Sequence, residues 1–289
     1  MRRMGLVLAG SLALLAGRAL ARDIELRPRG PWNLDYADER CTLAHALGTE
    51  ETPAFIQFVR TSPGDSFRLQ VIGKQFASVA NLQEIRLRFG KDGPFVSQQA
   101  VTGKVRDLPV LFLTGRLDNR MGRESGTHGE PEPLPAISSE REAAISALQL
   151  VITGRTITLE LGSLGKPMAA LRDCTASLVK SWGLDPVEQM GLLHGPVPRQ
   201  SPANWIRSGD YPTLPLHAGE QAIIDFRLMV GQDGQPTACV IQSNIAASGN
   251  FARDSCALLM RRARFAPAQR ADGTPVASYY ANRVRWVIP

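Results

Sequence analysis

The chain has 289 residues, room for one large or two small domains, and with 44% hydrophobic and 21% charged residues it is neither a disordered chain nor a membrane bundle. Its formal charge is +6 and no run of lysine and arginine interleaved with aromatic residues occurs, so nucleic acid is not the expected partner.

Met1 to Ala21 differs in character from the rest of the chain. Arg2 and Arg3 precede an apolar run from Gly5 to Ala16, and Ala19-Leu20-Ala21 offers the small residues a signal peptidase reads. We read residues 1–21 as a secretory signal cleaved between Ala21 and Arg22, and loss of Arg2, Arg3 and Arg18 then takes the charge from +6 to +3. The apolar run is shorter than the roughly 20 residues a bilayer crossing needs. An uncleaved inner-membrane anchor is the competing reading.

Residues 22–191 are expected to form an α+β domain that is mostly strands with a closing helix. Strand-like runs occupy Ala54–Val59, Phe67–Ile72, Ile85–Phe89 and Leu108–Leu113, with turn signals at Pro63-Gly64-Asp65 and Lys91-Asp92-Gly93-Pro94. Arg120 to Pro135 reads as a polar loop, and Ser138-Ser139-Glu140-Arg141-Glu142 as a helix start. Leu148–Ile152 and Thr156–Leu161 then form a hairpin around Gly154-Arg155. Lys166 to Trp182 closes the domain as an amphipathic helix with Met168, Leu171, Cys174, Leu178 and Trp182 on one side. Gly162-Ser163-Leu164-Gly165-Lys166 lacks the leading glycine and the Ser or Thr of a phosphate-binding loop, so it reads as a turn.

Six prolines between Pro186 and Pro215 mark the domain boundary, with residues 192–210 as a Pro-rich linker. Residues 211–289 then read strand, strand, helix, strand. Gln221–Val230 alternates, with Ala222, Ile224, Phe226, Leu228 and Val230 on one face and Asp225 and Arg227 on the other. Asp233-Gly234 supplies a hairpin turn into Thr237–Gln242. Phe251–Phe265 has helical apolar spacing at Cys256, Leu259, Met260 and Ala263, with Arg253, Arg261, Arg262 and Arg264 outside. Ser278–Ile288 alternates again, Tyr280, Val284, Trp286 and Ile288 facing in and Arg283 and Arg285 facing out. One helix covering one face of a three-stranded antiparallel sheet buries these stripes.

The four cysteines form no CxxC and suit an oxidising compartment. Cys239 lies on the strand face that the helix stripe beginning at Cys256 should cover, which predicts Cys239–Cys256 and leaves Cys41–Cys174 inside the preceding domain.

Tyr211-Pro212, Gly219-Glu220 entering a strand, Asp233-Gly234, Ser243, Arg264-Phe265-Ala266-Pro267-Ala268 and Gly273-Thr274-Pro275-Val276, in this order and spacing, resemble the C-terminal domain of the TonB family. The resemblance implies a periplasmic module that binds outer-membrane receptors by adding their extended peptide to its sheet edge, in TonB-dependent transmembrane transport. A folded domain stands where that family has a long Pro-rich spacer. Without a spanning anchor, the expected role is an adaptor rather than an energy transducer. The alternatives are an envelope structural protein binding another periplasmic protein or cell wall, an anchored transducer if the signal is retained, or a targeted enzyme or ligand-binding domain.

The outward Arg227, Arg283 and Arg285 read either as a solvated sheet face or as the flank of a peptide docked at the edge of the last strand. Candidate partner contacts are Tyr279, Asn282, Arg283 and Arg285, and the same edge also fits a homodimer. His45, His128, His194 and His217 have no metal-ligand spacing, and no GxSxG or HExxH occurs. No catalytic residue, cofactor, metal or small-molecule substrate is therefore expected.

Overall fold

The computed structural model describes residues 23–120, 134–246 and 250–288. The expected signal with its cleavage at Ala21 and Arg22, His128 and residues 121–133 of the polar loop lie outside them. The architecture is α+β, dominated by one large curled sheet.

The first unit contains β1 (Ile24–Leu26), β2 (Asn33–Ala37), β3 (Arg40–Gly48), β4 (Pro53–Arg60), β5 (Phe67–Gly73), β6 (Gln83–Phe89), β7 (Val96–Val105) and β8 (Leu108–Gly115). Next come helix α1 (Ser139–Ala144), strands β9 (Ala147–Ile152) and β10 (Arg155–Glu160), and helix α2 (Gly165–Ser181). Sheet order is β1-β10-β9-β6-β7-β8-β5-β4-β3-β2. The long strand β7 makes the bend, pairing its first half with β6 and its second with β8. The two ends of the sheet meet where Arg29 and Gly48 donate to Ala46 and Arg27 across β3. Inside the curl, Ile56, Phe58, Leu69, Val71, Leu87 and Phe89 are buried with Met168, Leu171, Cys174 and Leu178 of α2. Cys41 of β3 is bonded to Cys174 of α2.

The strand runs expected in this unit are β4, β5, β6 and β8, and the expected hairpin is β9 and β10. β1, β2, β3 and β7 were not expected. β3 buries Cys41, Leu43, His45 and Leu47 but has Thr42 as its one β-branched residue, and β7 is interrupted by Ser97, Gln98, Gln99 and Gly103, so neither gives a continuous apolar or alternating run.

The expected linker is folded. Residues 192–210 hold β11 (Val197–Pro198), and α3 (Pro186–Met190) and α4 (Thr213–His217) flank them. Trp205 between them is 1% exposed in the second core, and Asp210 receives two hydrogen bonds from Arg262 at 2.5 and 2.9 Å. The C-terminal unit has β12 (Ala222–Val230), β13 (Pro236–Ala246), α5 (Asn250–Arg262), β14 (Phe265–Ala266), β15 (Ala268–Gln269), β16 (Pro275–Val276) and β17 (Ser278–Trp286). Helix α5 stops at Arg262, before the expected end, because Phe265-Ala266 pairs with Val197-Pro198. Arg262, read from periodicity as an outside residue, is held by Asp210 and the Trp205 carbonyl.

The three-stranded antiparallel sheet runs β13-β12-β17. One face lies under α5, where Cys239 is bonded to Cys256 and Phe226, Leu228, Leu259 and Phe265 form the core. Gly234 sets the turn into β13 at φ +78°. A Cβ there would sit 2.1 Å from the Phe265 carbonyl oxygen, which bars any other residue.

On the opposite face, of the two readings of Arg227, Arg283 and Arg285, the solvated one fails at Arg227, which is buried, while Arg285 is exposed. Asp225 and Arg227 are 7% and 4% exposed, because this face is pressed against the first unit. Arg68 of β5 reaches across to Asp225, and Arg227 meets Glu39. The charges that alternation assigned to water are paired with charges of the other unit.

Candidate functional site

β17 is an edge strand: among the described residues its ladder partner is β12 alone. Tyr280, Val284 and Trp286 project toward α5, whereas Tyr279 and Arg283 project toward the first unit.

The backbone direction follows from one side-chain bond. Thr237 Oγ1 of β13 donates to the Met229 carbonyl, so Met229 points its backbone groups at β13, and residues two and four back, Arg227 and Asp225, do the same. Their partners on β17, Tyr279, Ala281 and Arg283, therefore turn their amides and carbonyls away from the sheet. The Arg283 amide accordingly donates to Oδ1 of Asn282 at 2.7 Å, not into the ladder.

A cavity of about 430 Å³ runs along this edge, bordered by four consecutive strand residues, Asn282 to Arg285. Its far wall is Pro202, Ala203, Trp205 and Ile206 of the folded linker, and Phe226 and Leu259 form its apolar floor. A second cavity of about 200 Å³ adjoins it, sharing Thr114, Asn282 and Arg283. This one opens between the two units and is bordered by Thr61, Ser62, Ser66, Arg68, Asp225 and Ala281.

The joint between the units is polar and desolvated. Arg68 Nη1 donates to Asp225 Oδ2 at 2.7 Å and to Ser243 Oγ at 2.8 Å. Arg283 Nε donates to Asp225 Oδ1 at 2.7 Å and its Nη1 to Thr114 Oγ1 at 3.4 Å. The Arg227 guanidinium, ion-paired with Glu39, lies 3.9 Å from the ring centre of Trp182, a cation–π contact out of water. Gln242 donates to the Thr61 carbonyl at 2.6 Å. From α3, Gln189 donates to the Ala277 carbonyl and accepts from Ser278 Oγ. Burial pushes the Arg68 guanidinium down from its ordinary range, with Asp225 opposing the shift. It pushes the Tyr279 hydroxyl up to about 12. Tyr280 is also raised by burial, against the hydrogen bond with Asn282.

The four residues nominated from sequence thus have different surroundings. Tyr279 stands edge-to-face against Trp182 at 5.0 Å, in the joint. Arg283 is also committed to the joint through Asp225. Asn282, donating to the Tyr280 hydroxyl, borders both cavities. Arg285 is exposed at the rim of the larger one. Sequence reasoning missed Arg68, Glu39, Trp182 and Trp205. Arg68 carried a faint signal as a charge inside the apolar run Phe67–Ile72, but its partner lies 157 residues away.

Among the described residues no group of three His, Cys, Asp or Glu could hold a metal ion. His45 bonds the Gly30 carbonyl and His194 bonds Gln269, both within the fold. Comparison with protein-family models, with curated proteins and with solved structures finds no match to this chain. What the geometry offers is a set of outward backbone groups beside a mostly apolar groove bordered by Arg283 and Arg285, which suits a bound extended chain.

Proposed function

We propose that this is a periplasmic partner-binding protein of the TonB type, which takes up an extended peptide of an outer-membrane receptor by strand addition along β17. The carrying observation is that the outward backbone of Ala281 borders the cavity between the units, while Arg283, the next outward residue, also lines the groove formed with Trp205 and Ile206. An unpaired edge is ordinarily blunted or used, and a groove deep enough to receive side chains favours use. The motif series from Tyr211 to Val276 supports the family reading, and the two disulfides support an oxidising compartment. Among the described residues no helix is long and apolar enough to cross a membrane. The reading is of an adaptor whose first unit braces the binding strand from behind.

The test is Ala281→Pro. Proline at this position removes an outward amide while leaving the ladder to β12 intact, so the fold survives. Binding of receptor N-terminal peptides, followed by fluorescence anisotropy, should be lost. Unchanged binding by the folded variant refutes strand addition at this edge.

A further inference from the structure

We propose that the cavity between the units seats the carboxylate of an acidic side chain, carried by the peptide that adds to β17. This rests on the strand-addition reading of that edge. The first support is a charge imbalance. Two guanidiniums, Arg68 and Arg283, share the single carboxylate of Asp225, and the about 200 Å³ cavity opens beside all three. Arg68 is 7% exposed and its Nε is buried with no acceptor among the described residues. A desolvated cation with unused donor capacity attracts an anion more strongly than one in water. The second support is the rest of the lining, where the Ser62, Ser66 and Thr114 hydroxyls can donate to a carboxylate.

The larger cavity fixes the neighbouring specificity. Its Trp205, Phe226, Leu259 and Val284 lie on the α5 side of β17, whereas Arg68 and Asp225 lie on the side of the first unit. Successive side chains of an added strand point to opposite faces. The preferred peptide therefore places its acidic residue next to an apolar one, at an odd separation.

The probes are fluorescein-labelled twelve-residue peptides of alternating threonine and valine with one central Glu, and the same peptides with Gln. Anisotropy gives the affinity, and amide hydrogen exchange over Ala281–Arg285 reports edge occupation. The Glu peptide should bind about tenfold tighter or more, the range of a charge-assisted hydrogen bond. That preference should collapse to near unity in Arg68→Met. If Arg68→Met does not fold, the triple variant Arg68→Met, Asp225→Leu and Arg283→Met removes the shared carboxylate with both of its guanidiniums and carries the same expectation. Equal binding of both peptides, with the edge amides protected, overturns the acidic site and leaves strand addition standing. No binding and no protection overturns both.

Discussion

Replacing Asp225 by asparagine takes away the carboxylate that two buried guanidiniums share. In the native joint it accepts from Arg68 and from Arg283, each at 2.7 Å, with 9% of its own side chain exposed. Asparagine keeps one acceptor oxygen and sets an amide donor against the other guanidinium. Arg68 would retain Ser243, and Arg283 would retain Thr114, but neither bond neutralises charge. Removing one partner of a buried pair costs about 3–5 kcal/mol, because the remaining charge has lost water without gaining a counter-ion. The loss belongs to the joint rather than to either core, so urea unfolding followed by tryptophan emission should separate into two transitions. Trp182, set against Arg227 and Tyr279, should report the earlier one. A loss below about 1 kcal/mol, the range of exposed pairs, would refute the claim that this network is desolvated and holds the units together. Substituting all three residues by apolar ones of similar size, Arg68→Met, Asp225→Leu and Arg283→Met, should recover most of the loss.

Gly234→Ala should destabilise the C-terminal unit by more than about 2 kcal/mol, since it adds a left-handed alanine to a 2.1 Å clash with the Phe265 carbonyl; thermal melting checks this. Cys256→Ala opens the bridge to Cys239, whose 17-residue separation corresponds to about 3 kcal/mol of loop-closure entropy, measurable by denaturant titration against the oxidised parent. Alkaline stability depends on Tyr279. Its hydroxyl ionises near 10 when unfolded and near 12 when folded, so above pH 10 the unfolded chain has released a proton that the fold retains. Stability should fall by about 1.4 kcal/mol per pH unit from pH 10 to 12 and be untouched by this group below pH 10. Tyr279→Phe should lessen that slope, and an unaltered slope would refute the assignment.

Much of the local structure was legible because local signals agreed with the fold. Phe67–Ile72 reads as an apolar strand run, Asp233-Gly234 marks its hairpin, and the faces of Cys239 and Cys256 foretell their bridge. What could not be read was how faces meet. Alternation places Asp225 and Arg227 opposite the α5 face, which for a lone sheet means water. Whether water or another unit covers that face depends on Arg68 and Glu39, far away in sequence and ordinary in their own strands. The prolines around Trp205 misled for a related reason. They signal the absence of regular structure, and a chain lacking regular structure can still be pinned, here by a buried indole and by Arg262. At the candidate edge, the strand was visible and its bare side could be guessed. The groove beside it was not, because one wall comes from Thr114 and another from the segment read as a linker.

The two-sidedness of β17 has a thermodynamic corollary. Ala281 and Arg283 direct their backbone away from the sheet, while the Arg283 side chain clasps the first unit through Thr114 and through the Asp225 carboxylate that Arg68 also holds. On the proposed function, one residue thus belongs at once to the grip on a partner and to the grip on the neighbouring unit. Wherever two equilibria share a residue in this way, the influence runs both ways by the same factor. If docking of the units sharpens the hold on a peptide, the peptide must tighten the docking by an equal amount, so the occupied edge would be sensed by the first unit without any contact between that unit's core and the ligand.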